Sequence, residues 1–349
     1  MRDESLMLHK SLTSVAPLCD EIIIVDTGSK DNSVQIAKEF TDQVYHFQWI
    51  DDFSAARNFA QSKSTGKYIM RWDGDCVLDD PIELQQLKAN SFYNKEIIMA
   101  KFFAEGKDAG NAISQLSPLI YERQKFHWIG CVHERLFSKI SNSKQIDIYK
   151  AMQTSFYNHK EGKDYRYAQN FFLVHRQLAK NPKDSRQLFF LAAMLMFESK
   201  YQQAIKITQK AIKYADSKDY SRLARMLEMV FLCDQTLGQT KHSSYILGFS
   251  NRLENVPRFM LLLADLEVVV NPTKALDLYL EYLKNPICDL TNDESYDPER
   301  LMFHPNYTVG SIYLTLNNIN QAKFFFQKAI RYTRNQDYIE AIESIMKLL

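Results

Sequence analysis

The sequence predicts an α/β domain followed by an all-helical repeat domain. Up to about residue 160, short apolar β-branched runs alternate with helical patterns; beyond it only helical periodicity remains, with small residues at fixed spacing. The length of 349 residues accommodates two domains, at roughly 100–200 residues each. The first domain is expected over residues 1–160, a helical linker over 161–184, and the repeats over 185–349.

The elements are read in chain order. Leu6, Leu8, Leu12 and Val15 mark an amphipathic helix. Ile22-Ile-Ile-Val25 is wholly apolar and β-branched, the pattern of a buried parallel strand. Ser29 to Asp31 offer caps for a helix through Val34, Ile36 and Ala37. Val44–Phe47, Tyr68–Trp72 and Ile97–Phe102 read as further strands. Such alternation predicts a mainly parallel sheet with ligands bound beyond the carboxyl ends of its strands.

In the second half, Ala192, Ala204 and Ala211 sit among Leu188, Leu191, Leu195 and Ile205 in the register of a 34-residue tetratricopeptide repeat. Val309, Gly310, Tyr313, Ala322, Phe326 and Ala329 form a clearer copy, and Leu263, Leu266, Ala275 and Tyr279 a weaker one. An irregular helical bundle is the alternative. The repeats carry Phe189, Phe190, Phe197, Tyr201, Tyr313, Phe324 and Phe325, more aromatics than the register needs. Some must face outward, because successive helix positions point about 100° apart. They are expected to meet another chain, giving a homodimer through the repeats, with an acceptor peptide held between repeats and first domain.

Composition narrows the partners. With 43 basic and 42 acidic residues the formal charge is +1, which gives no reason to expect nucleic acid or an anionic membrane. Cys19, Cys76, Cys131, Cys233 and Cys288 are odd in number and scattered, as reduced thiols of a cytoplasmic protein would be. Met1-Arg2-Asp3-Glu4 does not read as a signal peptide. The most apolar stretch, Phe259 to Val270, is interrupted by Asp265 and Glu267 and is too short to span a bilayer.

Carboxylates fall where strands should end: Asp26 after Val25, and Asp73-Gly-Asp75 after Trp72. Aspartates at such places are often only turn or cap residues. A carboxylate pair also holds a divalent cation that bridges substrate phosphates. His133 and Glu134 are adjacent on an expected loop after Trp128, and either can serve as a base.

Four segments carry a resemblance. Asp20-Glu-Ile-Ile-Ile-Val-Asp-Thr-Gly-Ser-Lys-Asp-Asn-Ser33, Trp49-Ile-Asp-Asp-Phe-Ser-Ala-Ala-Arg-Asn58, Trp72-Asp-Gly-Asp75 and Trp128-Ile-Gly-Cys-Val-His-Glu134 resemble, in order and spacing, the inverting GT-A (family 2) glycosyltransferases. With repeats behind the catalytic domain, the chain is similar to the peptide S- and O-glycosyltransferases of glycocins. Enzymes that decorate lipopolysaccharide cores share the arrangement. The resemblance implies a Rossmann-like nucleotide-sugar domain and a UDP-hexose donor. Asp26 would then bind the base, Asp73 the ribose, and Asp75 a Mg²⁺- or Mn²⁺-bound diphosphate. It also implies Arg57 near the nucleotide, and Glu134 or His133 as the base. Thr27, Gly28 and Ser29 are read as backbone N–H donors to an anion at a helix start, or as simple caps.

Two departures bear on activity. The hydrophobic first strand that precedes Met1-Arg2-Asp3-Glu4 in the family is missing, which means a late start, a trimmed chain or a disabled domain. Cys76 stands where the family tends to have an acidic residue. Two rival functions follow: transfer to a cell-envelope saccharide, or an inactive domain serving the repeats as a scaffold.

Overall fold

The structure, a computed structural model, describes residues 1–78, 81–89, 97–104, 114–139, 148–156, 163–286 and 295–349. The expected domain boundary at 160–161 and Cys288 lie outside them. The chain divides into two compact units, Met1–Arg166 with Asn292–Ser295, and Tyr167–Thr291 with Tyr296–Leu349.

In the first unit, α1 (Leu8–Val15) buries Leu8, Leu12 and Val15. Leu6, expected on the same face, precedes the helix and is exposed. Strand β1 (Ile24–Asp26) pairs in parallel with β2 (Val44–His46), Ile24 opposite Val44. Between them in the chain runs α2 (Ser33–Lys38). The expected Ile22–Val25 strand is therefore shifted toward Asp26, and Ile22 and Ile23 precede it. Leu8, Leu12, Ile24 and Ala37 form one small core. The helix α3 (Phe53–Lys63) follows, N-capped by Asp52, whose carboxylate accepts from Ala55 N at 2.9 Å.

The larger sheet contains β3 (Tyr68–Met70), β4 (Cys76–Leu78), β5 (Ile97–Ala104), β6 (Ser114–Glu122) and β9 (Ile148–Phe156), with a two-residue strand β10 (Ser295–Tyr296) at its edge. Helix α4 (Pro81–Ala89) lies between β4 and β5 in sequence. Among these strands β5 and β9 run parallel, whereas β3–β6, β5–β6 and β4–β9 are antiparallel. The sheet is thus mixed, not mainly parallel. β5 and β6 are consecutive in the chain, and an antiparallel pair needs no crossover helix. Cys76, Leu78, Leu84, Ile98, Ala100, Phe102, Leu119 and Ile120 make its core. A separate hairpin, β7 (Phe126–Ile129) with β8 (Arg135–Ser138), carries Gly130 to Glu134 at its tip.

The second unit is helical. After α5 (Lys163–Lys180) come the pairs α6 (Ser185–Phe197) with α7 (Tyr201–Tyr214), α11 (Pro257–Glu267) with α12 (Pro272–Lys284), and α13 (His304–Thr315) with α14 (Ile319–Ile330), closed by α15 (Gln336–Leu348). Ala192, Ala204, Ala211, Ala322 and Ala329 are fully buried, as small residues at helix contacts must be. A long helix α8 (Tyr220–Thr236), followed by the short α9 (Ser243–Leu247) and α10 (Ser250–Leu253), occupies the span between the first two pairs. In the weaker copy Ala275 and Tyr279 are fully buried, whereas Leu263 and Leu266 are half-buried and Leu261, Leu262 and Ala264 take the buried places of α11. Asp265, between Leu263 and Leu266, pairs with Arg300 and His304.

Candidate active site

Asp26 ends β1 and is 6 % exposed. Its carboxylate accepts from Gly28 N and Ser29 N, each at 3.1 Å. Gly28 has φ +104°, a conformation that favours glycine and closes this turn. Burial pushes the Asp26 pKa up, but the bonds from Ser29 and Gly28 outweigh it and hold the carboxyl below its ordinary value. Thr27 N donates to Met1 O at 3.0 Å. All three N–H groups of Thr27–Ser29 are thus bonded within the protein, and α2 begins only at Ser33. Thr27, Gly28 and Ser29 thus form the turn after β1, and the N-cap position of α2 is Asn32.

Asp73-Gly74-Asp75 forms the turn between β3 and β4. Asp73 Oδ1 accepts from Arg57 Nη2 and its Oδ2 from Arg71 Nη1, both at 3.0 Å. Burial raises the Asp73 pKa, but Arg57 and then Arg71 overcome it, so the carboxyl stays ionised well below the usual carboxylate range. The Met1 amino group donates to Val25 O at 2.8 Å. Asp75 is half-buried. Gly74 packs tightly: a Cβ there would sit 3.2 Å from Glu4 Cγ. Cys76 is fully buried, and burial raises its thiol pKa further from the thiolate form.

Arg57, on α3, also donates from Nε to Glu134 Oε1 at 2.6 Å, and its guanidinium lies 5.2 Å from the centre of the Trp128 ring. One side chain therefore holds the carboxylates of Asp73 and Glu134. Burial lowers the Arg57 pKa, but Asp73 and Glu134 more than offset this and keep it charged. Glu134 and His133 lie at the hairpin tip, His133 with φ +49°, a costly backbone conformation for a residue other than glycine. Trp128 is buried, its Nε1 donating to Tyr121 Oη at 2.9 Å.

The description "Glycosyl transferase family 2" matches residues 1–176. The chain belongs to glycosyl transferase family 2. A tetratricopeptide repeat matches residues 304–336, the segment of α13 and α14. Over 310 residues the chain is 24 % identical to the SPbeta prophage-derived glycosyltransferase SunS of Bacillus subtilis, covering 84 % of this chain and 70 % of SunS. It is 45 % identical over 137 residues to a TPR repeat-containing protein of Synechococcus elongatus, covering 38 % of this chain and only 33 % of that protein. It is 28 % identical over 88 residues to the cholesterol galactosyltransferase of Borreliella burgdorferi, covering 24 % of each.

Arg57 of α3 thus brings Asp73 and Glu134 together. Arg71 escaped the sequence reading, though a cation two residues before the first aspartate of the Asp-x-Asp pair was a visible signal. The structural parts of Asn58, Gln61 and Tyr121 escaped it too, because side-chain bonds to a distant backbone leave no periodic trace.

Proposed function

We propose that this chain transfers a hexose from a UDP-sugar to a Cys or Ser/Thr side chain of a peptide, with inversion at the anomeric carbon. The observation that carries the reading is the double grip of Arg57 on Asp73 and Glu134. It sets a donor-side carboxylate and a candidate base on two nitrogens, Nη2 and Nε, of one guanidinium. Glu134 would take the proton from the acceptor's thiol or hydroxyl as that atom bonds to the anomeric carbon. The bond from that carbon to the diphosphate breaks, and UDP leaves with the electron pair. His133 is the alternative base. The peptide acceptor rests on the resemblance to glycocin enzymes; likeness to SunS over most of the chain supports a transferase with this two-part layout.

The cation is tested by the chemistry of the donors. Both oxygens of Asp73 already accept from arginines, and Cys76 is a buried thiol. Among the described residues no group of three or more His, Cys, Asp or Glu side chains could hold an ion. The residues fit an ion that arrives with the diphosphate and takes Asp75 as its protein ligand, an arrangement typical of Mg²⁺. When bound, it would supply charge neutralisation on the leaving group.

The four described cysteines are free thiols, which suits the cytoplasm. No helix among the described residues is long and apolar enough to cross a membrane. Transfer to a lipid-borne or cell-envelope saccharide is the second reading, favoured by the short match to a cholesterol galactosyltransferase.

The test is mass spectrometry of a peptide containing Cys and Ser after incubation with UDP-glucose or UDP-N-acetylglucosamine. A gain of one sugar is expected. Glu134→Gln or His133→Ala should reduce the rate by about 10²–10⁴-fold, whichever removes the base. Full activity in both variants would refute the base assignment. Absence of any donor turnover would favour the scaffold reading.

A further inference from the structure

Helix α3 buries a polar stripe where an apolar one is usual. Ser54 and Gln61 are buried and Arg57 and Asn58 half-buried, at the i, i+3, i+4, i+7 spacing of one helix face. Arg57, Asn58 and Gln61 of the stripe reach the β7–β8 hairpin, whereas Ser54 Oγ donates to Asp52 Oδ1 at 2.7 Å. Phe53 N donates to Cys131 O at 3.0 Å. Arg57 holds Glu134 at 2.6 Å. Gln61 Nε2 donates to Arg123 O at 2.9 Å and to Phe126 O at 2.8 Å, while its Oε1 accepts from Tyr121 Oη at 3.1 Å.

Asn58 is distinctive within this set. Its Nδ2 donates to Trp128 O at 2.8 Å, and its Oδ1 accepts from Trp128 N at 2.9 Å. The carboxamide thus satisfies both backbone groups of one strand residue, as a neighbouring strand would. Such a two-bond contact fixes the position of β7 along α3 in a way that one bond cannot. Trp128 lies six residues before Glu134, and the neighbour of Asn58 on the helix is Arg57, which grips Glu134.

We infer that Asn58 is a positioning residue: by clamping the backbone of Trp128 it sets where the hairpin tip presents Glu134 to Arg57 and Asp73. The inference rests on the reading of Glu134 as the base. Displacement of a reacting group by about 1 Å can cost about 10²-fold in rate, so a clamp remote from the reacting atoms has a kinetic signature.

The test compares wild type, Asn58→Ala, Glu134→Gln and the double variant. UDP release from UDP-glucose and UDP-N-acetylglucosamine, UDP affinity by calorimetry, and amide hydrogen exchange are measured on the full chain. Asn58→Ala should lower kcat by about 10–100-fold and leave UDP affinity within about threefold. It should speed exchange at residues 128–134 and leave the helical unit unchanged. In the Glu134→Gln background the same change should have almost no further effect on kcat, because residues acting through one another are not additive. Asn58→Ser, which keeps one hydrogen-bonding atom, serves if Asn58→Ala does not fold. Equal losses of kcat in both backgrounds, or unchanged exchange at residues 128–134, would overturn the inference. Unimpaired turnover by Glu134→Gln alone would instead count against the base reading, and inert wild type against the transferase reading; hairpin exchange still reads the Asn58 clamp in either case.

Discussion

Asp73 pairs with two arginines at once, and its removal should be felt in both folding and chemistry. Its side chain is 30 % exposed, against 21 % for Arg57 and 11 % for Arg71. Asp73→Asn should therefore cost about 1–3 kcal/mol, between the values for surface and fully buried pairs. Urea unfolding of the two proteins measures this. The sign with pH follows from the depressed folded pKa of Asp73: its contribution is present above its unfolded value of about 3.9 and is lost as pH falls below it. The Asp73→Asn variant should accordingly approach wild-type stability in acid. An equal stability difference at pH 7 and pH 3 would contradict the ion-pair account. The sequence made Asp26, Asp73 and Asp75 visible because carboxylates at the ends of apolar runs interrupt a clear pattern. It did not reveal that Arg57 joins Asp73 to Glu134, since residues 57, 73 and 134 meet only through the fold.

Helix pairs were legible where small residues meet large ones, and less so where a buried charge breaks the stripe. Gly310 shows the first case. A Cβ there would stand 2.8 Å from Phe326 Cδ1, and Phe326 is itself buried. Gly310→Ala should destabilise the α13–α14 pair by about 1–3 kcal/mol through overpacking, read by urea unfolding; a neutral effect would mean the pair is looser than described. Asp265 shows the second case. It accepts from Arg300 and Tyr279, each at 2.5 Å, and lies 2.8 Å from His304 Nε2. Arg300 Nε in turn meets Glu228, which also binds Arg258. Burial raises the pKa of both acids; for Glu228, Arg300 and Arg258 outweigh it, and for Asp265 the His304 bond and Arg300 do so. Both folded pKa values lie below their ordinary ones, so this stabilisation holds above about pH 4 and fades as pH falls further. Thermal melts followed by helical circular dichroism should show a steep loss below pH 4, reduced in Glu228→Gln. Hydropathy alone read Asp265 and Glu267 as interruptions, because partners as distant in sequence as residues 228 and 300 have no local signature.

At the scale of the whole molecule, a transferase domain and a set of helical repeats were both readable, since period and composition change between them. Some of the repeat aromatics face outward, as the run Phe324-Phe325-Phe326 requires. Phe189 and Phe325 are buried, whereas Phe197 is 81 % and Phe324 48 % exposed. The proposed homodimer would therefore use the latter two. Light scattering of the Phe197→Ser, Phe324→Ser variant should report a shift toward monomer, and an already monomeric wild type at micromolar concentration would remove the dimer. The central claim concerns the first unit: that Asp75 and an incoming divalent cation hold the diphosphate of a UDP-sugar beside Arg57 and Asp73. Calorimetric titration of UDP with and without Mn²⁺, in wild type and in Asp75→Asn, tests it most directly. The account predicts tight UDP binding that needs both the metal and Asp75, with the variant still folded. Binding that is equally tight without metal and in Asp75→Asn would contradict it.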